Sequence, residues 1–388
     1  MKQGWEIKKL GELCEVIGGS TPKTNEPTYW DGDFFWVTPA ELDGTKLISS
    51  TKRTITEAGI KSAHLQLLPA GTVLLSSRAP IGKVAITTVP MYCNQGFKNI
   101  ICSDKLYNCY VYWFLYAKTE YLNALGTGAT FKEISKKVVE QIPIPGPPLP
   151  IQEQIVSELD LLSGIIEKKH EQQKELDALA QSIFYDMFGD PITNEKGWEV
   201  KKLGEVCESV SYGTSNSSTE NGEYKYLRMN NITYSGHIDI TDIKYIDISD
   251  DEYEKYVVRK GDILFNRTNS KDLVGKTALF NFEEEMIIAG YIIRVRVNQD
   301  SIIPTFVVKW LNTPLMKSYF KNICKGAVNQ SNINSKELKN IHISIPPLPL
   351  QHQFATKIEA IEKQKELIKQ SISETETLFN ERMQEHFG

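Results

Sequence analysis

The sequence predicts an α+β fold in which two similar mixed α/β domains follow each other, each with a long helix behind it. Two observations predict this internal repeat. The opening stretch GWEIKKLGELCE at residues 4–15 returns as GWEVKKLGEVCE at 197–208, and PPLPIQEQI at 147–155 returns as PPLPLQHQF at 346–354. Because a period of about 200 residues is far longer than a solenoid repeat, each copy should be a complete domain with an appendage.

Length and composition agree with a two-domain globular protein. The chain has 388 residues, of which 41% are hydrophobic and 24% charged, and this is more chain than one hydrophobic core usually organises. No apolar run approaches the ~18 residues of a membrane helix, and the first residues lack the apolar centre of a signal peptide. We therefore expect a cytoplasmic protein with no membrane association.

The globular parts contain both strand-like and helix-like segments. Runs rich in Val and Ile, bounded by Gly, Asn or Pro, predict strands, such as GTVLLSS, KNIIC, GDILFN and GYIIRVRVN. Helix-like runs such as YVYWFLYAKTEYLNAL lie between these strands and the proline-rich stretches. The predicted boundaries are 1–146 and 191–345 for the domains and 147–190 and 346–388 for the helices.

Both appendages carry a heptad pattern of apolar residues, which predicts helices of about 35 residues, or about 50 Å. The predicted helix–helix interface consists of Ile155, Leu159, Leu162, Ile166, Leu176, Ile183, Ile358, Ile361, Ile368, Ile372 and Phe379. Lys169, Gln173 and Lys365 interrupt the apolar seam, as residues that fix register in a coiled coil do. A single such stripe would also fit a helix packed on its own domain, but two stripes of equal length favour helices packed on each other.

Charge is distributed unevenly along the chain, whose net charge is −5. Residues 147–190 hold 3 Lys and Arg against 9 Asp and Glu, whereas residues 1–146 hold 16 against 13 and residues 191–345 hold 20 against 20. The acidity therefore lies on the helices, and an anionic ligand remains compatible with the domains. Broad binding to nucleic acid regardless of sequence is disfavoured, because it depends on a net positive field.

The sequence gives no sign of catalysis, of a metal site or of a cofactor. SKDLVGKT at 270–277 lacks the first glycine of a phosphate-binding loop, and GTGAT at 126–130 has no strand before it. The six histidines show no ligand spacing, and the six cysteines include no C-x-x-C pair and are expected to be reduced core residues. We also find no Asn or Asp followed by Pro-Pro and an aromatic, the pattern of amino-methyltransferases.

Polar and cationic loops recur at corresponding points of the two repeats and predict a ligand-binding surface. Arg, Lys, Asn and Gln are suited to base edges and phosphates, although each residue taken singly is more typical of a solvated loop or a turn. In the first domain the candidate DNA-binding residues are Lys23, Arg78, Lys83, Gln95, Lys98, Thr130 and Lys132. In the second domain they are Arg228, Asn230, Arg267, Asn269, Lys271, Lys276, Gln330 and Asn332. Arg78 and Arg267 follow a strand-like run at comparable points, which predicts equivalent roles.

The repeated GWE-x-KKLGE-x-CE opening and PPLP-x-Q-x-Q before a heptad helix resemble the specificity (S, or HsdS) subunit of type I restriction-modification systems. The resemblance covers nearly the whole chain, with His352 standing where the first copy has Glu153. It implies two target-recognition domains that each read half of a split double-stranded DNA target, and two antiparallel helices between them. It also implies docking of two methyltransferase (M) subunits and, through the complex, of a restriction/translocase (R) subunit.

Two features predict the form of the target. Helices of about 50 Å exceed one turn of B-DNA at ~34 Å, so two half-sites would be separated by unread base pairs. The loops IGGSTPKT and SYGTSNSS differ between the repeats, so the target should be asymmetric. A coiled-coil scaffold that binds proteins without any DNA role is the alternative, and the absence of a long basic run supports it. A self-contained methyltransferase or nuclease is disfavoured by the missing motifs.

Overall fold

The computed structural model describes residues 5–128, 132–327 and 330–388. The chain divides into two compact units. The first unit contains the chain up to His170 together with Gln370–Gly388, and the second contains Glu171–Lys369. Each unit therefore includes part of both long helices.

The first unit combines short strands with short helices. Its strands are β1 Ile7–Lys9, β2 Cys14–Gly18, β3 Trp30–Val37, β4 Leu47–Ile48, β5 Arg53–Ile55, β6 Val73–Leu75, β7 Val84–Thr87, β8 Tyr92–Cys93, β9 Lys98–Cys102 and β10 Pro143–Pro145. Its short helices are α1 Leu10–Leu13, α2 Glu57–Ser62, α3 Asn108–Ala117, α4 Thr119–Leu125 and α5 Lys136–Glu140. The first long helix, α6, follows and spans Leu149–Phe188.

The second unit repeats this arrangement. Its strands are β11 Glu199–Lys202, β12 Cys207–Tyr212, β13 Tyr224–Leu227, β14 Lys244–Ile246, β15 Val257–Val258, β16 Ile263–Asn266, β17 Thr268–Asn269, β18 Thr277–Leu279, β19 Met286–Ile288, β20 Ile292–Val297, β21 Lys325–Ala327, β22 Gln330–Asn332 and β23 His342–Ile345. Its helices are α7 Asp250–Tyr256, α8 Pro304–Leu311, α9 Pro314–Ile323, α10 Ser335–Lys339 and the second long helix, α11 Leu348–Phe387.

The sheets of the two units have matching strand orders. The order β2-β9-β6-β7 of the first unit corresponds to β12-β20-β16-β18 of the second, and β5-β3-β8 corresponds to β14-β13-β19. The helix pair α3 and α4 likewise corresponds to α8 and α9, with Pro314 opening the second member. The predicted internal repeat of mixed α/β domains is therefore confirmed.

The apolar runs form strands that are covered on both faces. In β6, Val73 and Leu75 pack into the core that contains α3, while Leu74 packs into a second core with Val37 and Phe97. Alternate residues of a strand point to opposite faces, so a strand covered on both sides must be apolar at every position. This accounts for the uninterrupted VLL of the first repeat.

The repeated opening stretch closes each domain next to its long helix. Strand β1 pairs antiparallel with β10, and β11 pairs with β23, so the start of each domain lies beside its end. A Cβ atom on Gly11 would lie 2.8 Å from the Cβ of Glu140, and one on Gly204 would lie 3.0 Å from the Cβ of Lys339. The glycine of LGE is thus required because α5 and α10 pack directly against this turn.

The first glutamine of PPLP-x-Q-x-Q fixes each long helix to its domain. Gln152 is fully buried; its Oε1 accepts the N–H of Tyr107 at 2.8 Å, and its Nε2 donates to the carbonyl of Pro147 at 2.8 Å. Gln351 is equally buried and makes the same contacts with Ile303 and Pro346, at 2.8 and 2.7 Å. Tyr107 and Ile303 directly precede α3 and α8, so the amide joins the starts of two helices.

The two long helices are antiparallel where they meet within each unit. In the first unit, Glu158 pairs with Arg382 at 2.9 Å, and Lys169 further along α6 donates to the carbonyl of Ser371 at 3.1 Å. In the second unit, Lys365 pairs with Asp177 at 2.6 Å, and the rings of Phe184 and Phe354 lie 5.8 Å apart. Partner numbers fall along α11 as they rise along α6, which confirms the predicted antiparallel coiled coil.

The lengths and ends of the two long helices are close to those predicted from the sequence. Each helix has 40 residues, or about 60 Å, slightly more than predicted. Pro150 and Pro349 lie in the first turn, where a missing N–H costs nothing. After Phe188 the chain leaves the helix at Gly189, whose φ of +77° suits glycine.

The predicted interface residues divide into two groups. Those near the helix starts are buried in the domain cores as well as beside the other helix: Ile155 and Leu159 in the first unit, Ile358 and Ile361 in the second. Leu162 and Ile372 are also buried, whereas the remaining predicted positions are half-buried: Ile166, Leu176, Ile183, Ile368 and Phe379. Packing on the helix's own domain, the alternative considered above, therefore operates together with helix pairing.

Candidate functional site

Two of the predicted contact residues of the first repeat converge on one carboxylate, that of Glu133. The Nε of Arg78 donates to Oε2 of Glu133 at 2.9 Å, and Nζ of Lys98 lies 3.1 Å from Oε1. Backbone hydrogen bonds join the two segments that carry these residues, and we call this contact the junction. The N–H of Ile134 donates to the carbonyl of Ser77 at 2.9 Å, and Arg78 and Glu133 form an antiparallel bridge. The junction joins the end of β6 to the segment before α5.

Other candidates of the first repeat lie on adjoining backbone. The N–H of Ser77 donates to the carbonyl of Gly96, which places the exposed Gln95 next to the junction. Lys132, directly before Glu133, is exposed. Lys23 is exposed in the loop after β2, and Thr21 Oγ1 from the same loop donates to Gln95 Oε1. Thr130 lies outside the described residues.

The electrostatics of the junction favour an ionised carboxylate. Partial burial raises the pKa of Glu133, but hydrogen bonds from Lys98 and Arg78 and their positive charges outweigh this effect and hold the pKa below its ordinary value. The side chain of Lys98 is 13% exposed and that of Arg78 is 45% exposed. Lys98 therefore serves the carboxylate, while Arg78 retains access to a ligand.

The second repeat builds the same junction from different side chains. The N–H of Ile333 donates to the carbonyl of Arg267 at 2.9 Å, and Thr268 of β17 pairs with Asn332 of β22. These bonds match those of Ile134 with Ser77 and of Arg78 with Glu133. Arg267 thus corresponds to Ser77, and Arg78 corresponds to Thr268, so the predicted equivalence of the two arginines is wrong by one residue. A one-residue step along a strand reverses the face to which a side chain points.

Arg267 is held against its own domain. Its Nη1 donates to the carbonyl of Gly290 at 3.2 Å, and its guanidinium lies 4.8 Å from the ring centre of Tyr212. Asn269 is half-buried and its Oδ1 accepts the N–H of Ser270. Lys271, two residues further on, is exposed.

Two predicted cations have structural roles instead of surface positions. Lys276 is buried and donates to the carbonyl of Met229 at 2.9 Å; burial also lowers its pKa. Lys83, half-buried, donates to the carbonyl of Leu42 at 2.8 Å. The carbonyl of Met229 lies in the 3₁₀ turn Met229–Asn231, and the carbonyl of Leu42 directly follows the 3₁₀ turn Pro39–Glu41. The repeated Gly-Lys therefore secures a turn in each domain, and Lys83 and Lys276 leave the set of candidate DNA contacts.

The remaining candidates of the second repeat differ in exposure. Arg228 is half-buried, and its Nη2 donates to both the carbonyl and the carboxylate of Asp242 at 2.8 Å, while Asn230 is exposed. Asn332 is half-buried in β22. The backbone of Gln330 belongs to the same strand, and its side chain lies outside the description.

Within the described ranges, no group of three His, Cys, Asp or Glu side chains could hold a metal ion, and no helix is long and apolar enough to cross a membrane. The exposed candidates lie on the domain surface, which is the candidate site: Lys23, Arg78, Gln95, Lys132, Asn230 and Lys271.

A family model described as the type I restriction modification DNA specificity domain matches residues 2–178 and 195–377. The chain belongs to this family. Among its relatives are the MjaIX specificity subunit of Methanocaldococcus jannaschii, 29% identical over 92% of this chain and 86% of the relative, and the EcoKI specificity subunit of Escherichia coli K12, 23% identical over 93% and 82%.

Solved structures share the fold. The S subunit of a type I restriction-modification system from M. genitalium has a TM-score of 0.62 and 13% identity, covering 100% of this chain and 98% of that one. A chain from a study of type I complex assembly and conformational transition has a TM-score of 0.60 and 20% identity, with coverage of 100% and 98%. The predicted fold, family and non-catalytic specificity role are confirmed, and the scaffold without a DNA role is not favoured.

The sequence reading missed two kinds of residue. Glu133 follows Lys132 directly, but a search for cations and amides passes over a carboxylate that orients them. Gln152 and Gln351 stand inside the most strongly repeated motif, and their recurrence at the same position of both copies is the signal that marks them.

Proposed function

We propose that the chain is the DNA-recognition subunit of a type I restriction-modification complex and reads a bipartite, asymmetric double-stranded DNA target. Residues 1–146 and 191–345 would act as the two target-recognition domains. The observation that carries this proposal is the junction present in both repeats. Its backbone is the same, but the bridged pair is Arg78 and Glu133 in one domain and the buried Thr268 and half-buried Asn332 in the other. One scaffold with different side chains is what two different half-sites require.

Residues 147–190 and 346–388 would act as conserved spacer helices. Helices of about 60 Å exceed one turn of B-DNA, which supports half-sites separated by base pairs that the protein does not read. Since the ligand is chromosomal DNA, we place the protein in the cytoplasm of a bacterial or archaeal cell.

We also propose that the helices dock two methyltransferase subunits and that the complex recruits a restriction subunit. In each unit, both helices carry an exposed leucine beside the helix seam, and these leucines support the proposed docking. Leu161 and Leu378 are 65% and 40% exposed in the first unit, and Leu179 and Leu367 are 48% and 59% exposed in the second. The four leucines directly precede residues of the helix seam, namely Leu162, Phe379, the buried Ala180 and Ile368. On antiparallel helices this places both leucines of a unit on one flank. Exposed leucines on an otherwise acidic helix pair are typical of an interaction surface.

Sequencing of methylated DNA tests the proposed target. The chain would be expressed with its methyltransferase subunit in cells free of other modification systems, and methylated positions mapped across the genome. We expect one motif with two unlike halves and a fixed spacer. A continuous or palindromic motif, or no methylation that depends on this chain, would contradict the proposal.

A further inference from the structure

The Arg78–Glu133 pair leaves one side of the guanidinium available. Glu133 binds Arg78 through Nε, at 2.9 Å. Within the described part of the chain, no protein group pairs with the two terminal nitrogens of Arg78, and the side chain is 45% exposed. Guanine offers O6 and N7 as neighbouring acceptors in the major groove, and two terminal guanidinium nitrogens match them.

The carboxylate is itself fixed in position. Lys98 binds its other oxygen at 3.1 Å and lies 3.3 Å from Ser77 Oγ, and the backbone bridge sets the distance between Arg78 and Glu133. An arginine held in this way loses little rotamer freedom when it meets a base. Glu133 offsets one of the two positive charges, so the three side chains attract a phosphate less than Arg78 and Lys98 alone would, and this favours a base edge over the DNA backbone.

The second repeat has no corresponding arginine–carboxylate pair at its junction. At the equivalent bridge it has Thr268 and Asn332, which carry no charge. A contact made by Arg78 and oriented by Glu133 would thus belong to one half-site only.

Resting on the DNA-recognition function above, we propose that Arg78 reads a guanine in the half-site of the first repeat and that Glu133, supported by Lys98, is the positioning residue that aims it. Glu133 acts through Arg78 and contacts no base.

The test compares four variants of the full chain in complex with its methyltransferase. Arg78→Lys keeps the charge but loses the planar fork, Glu133→Ala removes the support, and Glu133→Gln keeps an oxygen for Nε. Glu57→Gln is the matched control, because it removes a carboxylate from an exposed ion pair, with Lys61 at 3.5 Å, in the same domain. Affinity is measured for the wild-type target and for duplexes with each base pair changed in turn, at two salt concentrations.

We expect Arg78→Lys and Glu133→Ala to lose discrimination about 10-fold at one guanine of one half-site. Glu133→Gln should retain more discrimination than Glu133→Ala, and Glu57→Gln should behave as the wild type. The other half-site and the spacer should be unaffected.

Two results would overturn the inference while leaving the proposed function intact. One is unchanged discrimination at every position in Arg78→Lys and Glu133→Ala. The other is a uniform loss across all duplexes with a shallower salt dependence, which indicates a phosphate contact. A wild-type chain that directs no methylated motif would overturn the proposed function and this inference with it.

Discussion

Single side chains connect each domain to its long helix. Backbone groups at the start of two helices are buried away from water. The side-chain amides of Gln152 and Gln351 supply the hydrogen bonds that water would otherwise make. A buried N–H without an acceptor costs about 1–3 kcal/mol, so these amides are strong constraints on the helix position. The second glutamine of the first motif, Gln154, is exposed and has no such role.

Replacing Gln152 with Ala should destabilise the first unit by about 2–3 kcal/mol, because the N–H of Tyr107 loses its acceptor and a cavity remains. Gln351→Ala should have a similar effect on the second unit. Gln154→Ala is the control and should change stability by less than about 0.5 kcal/mol. Urea unfolding of the full chain, followed by tryptophan fluorescence, provides the measurement. Equal unfolding curves for Gln152→Ala and Gln154→Ala would refute this role.

The sequence predicts residue types at this scale better than their roles. Arg78 and Lys98 are recognisable as cations in loops, but their shared carboxylate becomes visible only when the chain brings Glu133 beside them. Lys83 and Lys276 resemble ligand contacts in the sequence, yet both turn inward to a carbonyl. Such contacts between distant residues depend on tertiary structure, which local patterns do not contain.

At the scale of elements, the heptad pattern predicts most of the helix pair. Together with the prolines before it, the pattern predicts the two helices, their starts and the polar residues that interrupt the seam. In the structure, Lys169 contacts Ser371 and Thr375, and Lys365 pairs with Asp177. The pattern does not predict that the helix starts belong to the domain cores. An apolar residue in a heptad packs equally well on a sheet or on another helix.

The exposed leucines next to the seam lead to a prediction about assembly. Changing Leu161 and Leu378 together to Glu should leave stability nearly unchanged, because both are exposed, but should remove one methyltransferase subunit from the complex. The Leu179 and Leu367 pair should remove the other. Ala178→Glu, an exposed position on α6 away from the seam, is the control. Light scattering of the purified complex gives the mass. Full-mass complexes with both leucine pairs changed would refute docking at these surfaces.

At the scale of the whole molecule, the chain contains one arrangement of domain and helix twice. The repeat supplies two domains with the same strand order, two long helices and two copies of one junction, whereas the side chains at that junction differ. The repeated motifs in the sequence thus have structural roles. The glycine of LGE allows a short helix to pack against this turn, and PPLP-x-Q orients the long helix. The side chains that differ lie at the junction through which we propose that each domain reads its half-site.

Exchange of one domain tests this division of labour most directly. Residues 1–146 contain both β1 and β10, so a replacement from a relative brings its own closing strand pair and leaves Gln152 with a backbone N–H to bind. The exchanged chain would be expressed with the methyltransferase and the methylated motif sequenced. We predict that one half of the motif changes while the other half and the spacer length persist. A motif altered in both halves, or in its spacing, would contradict independent reading by the two domains.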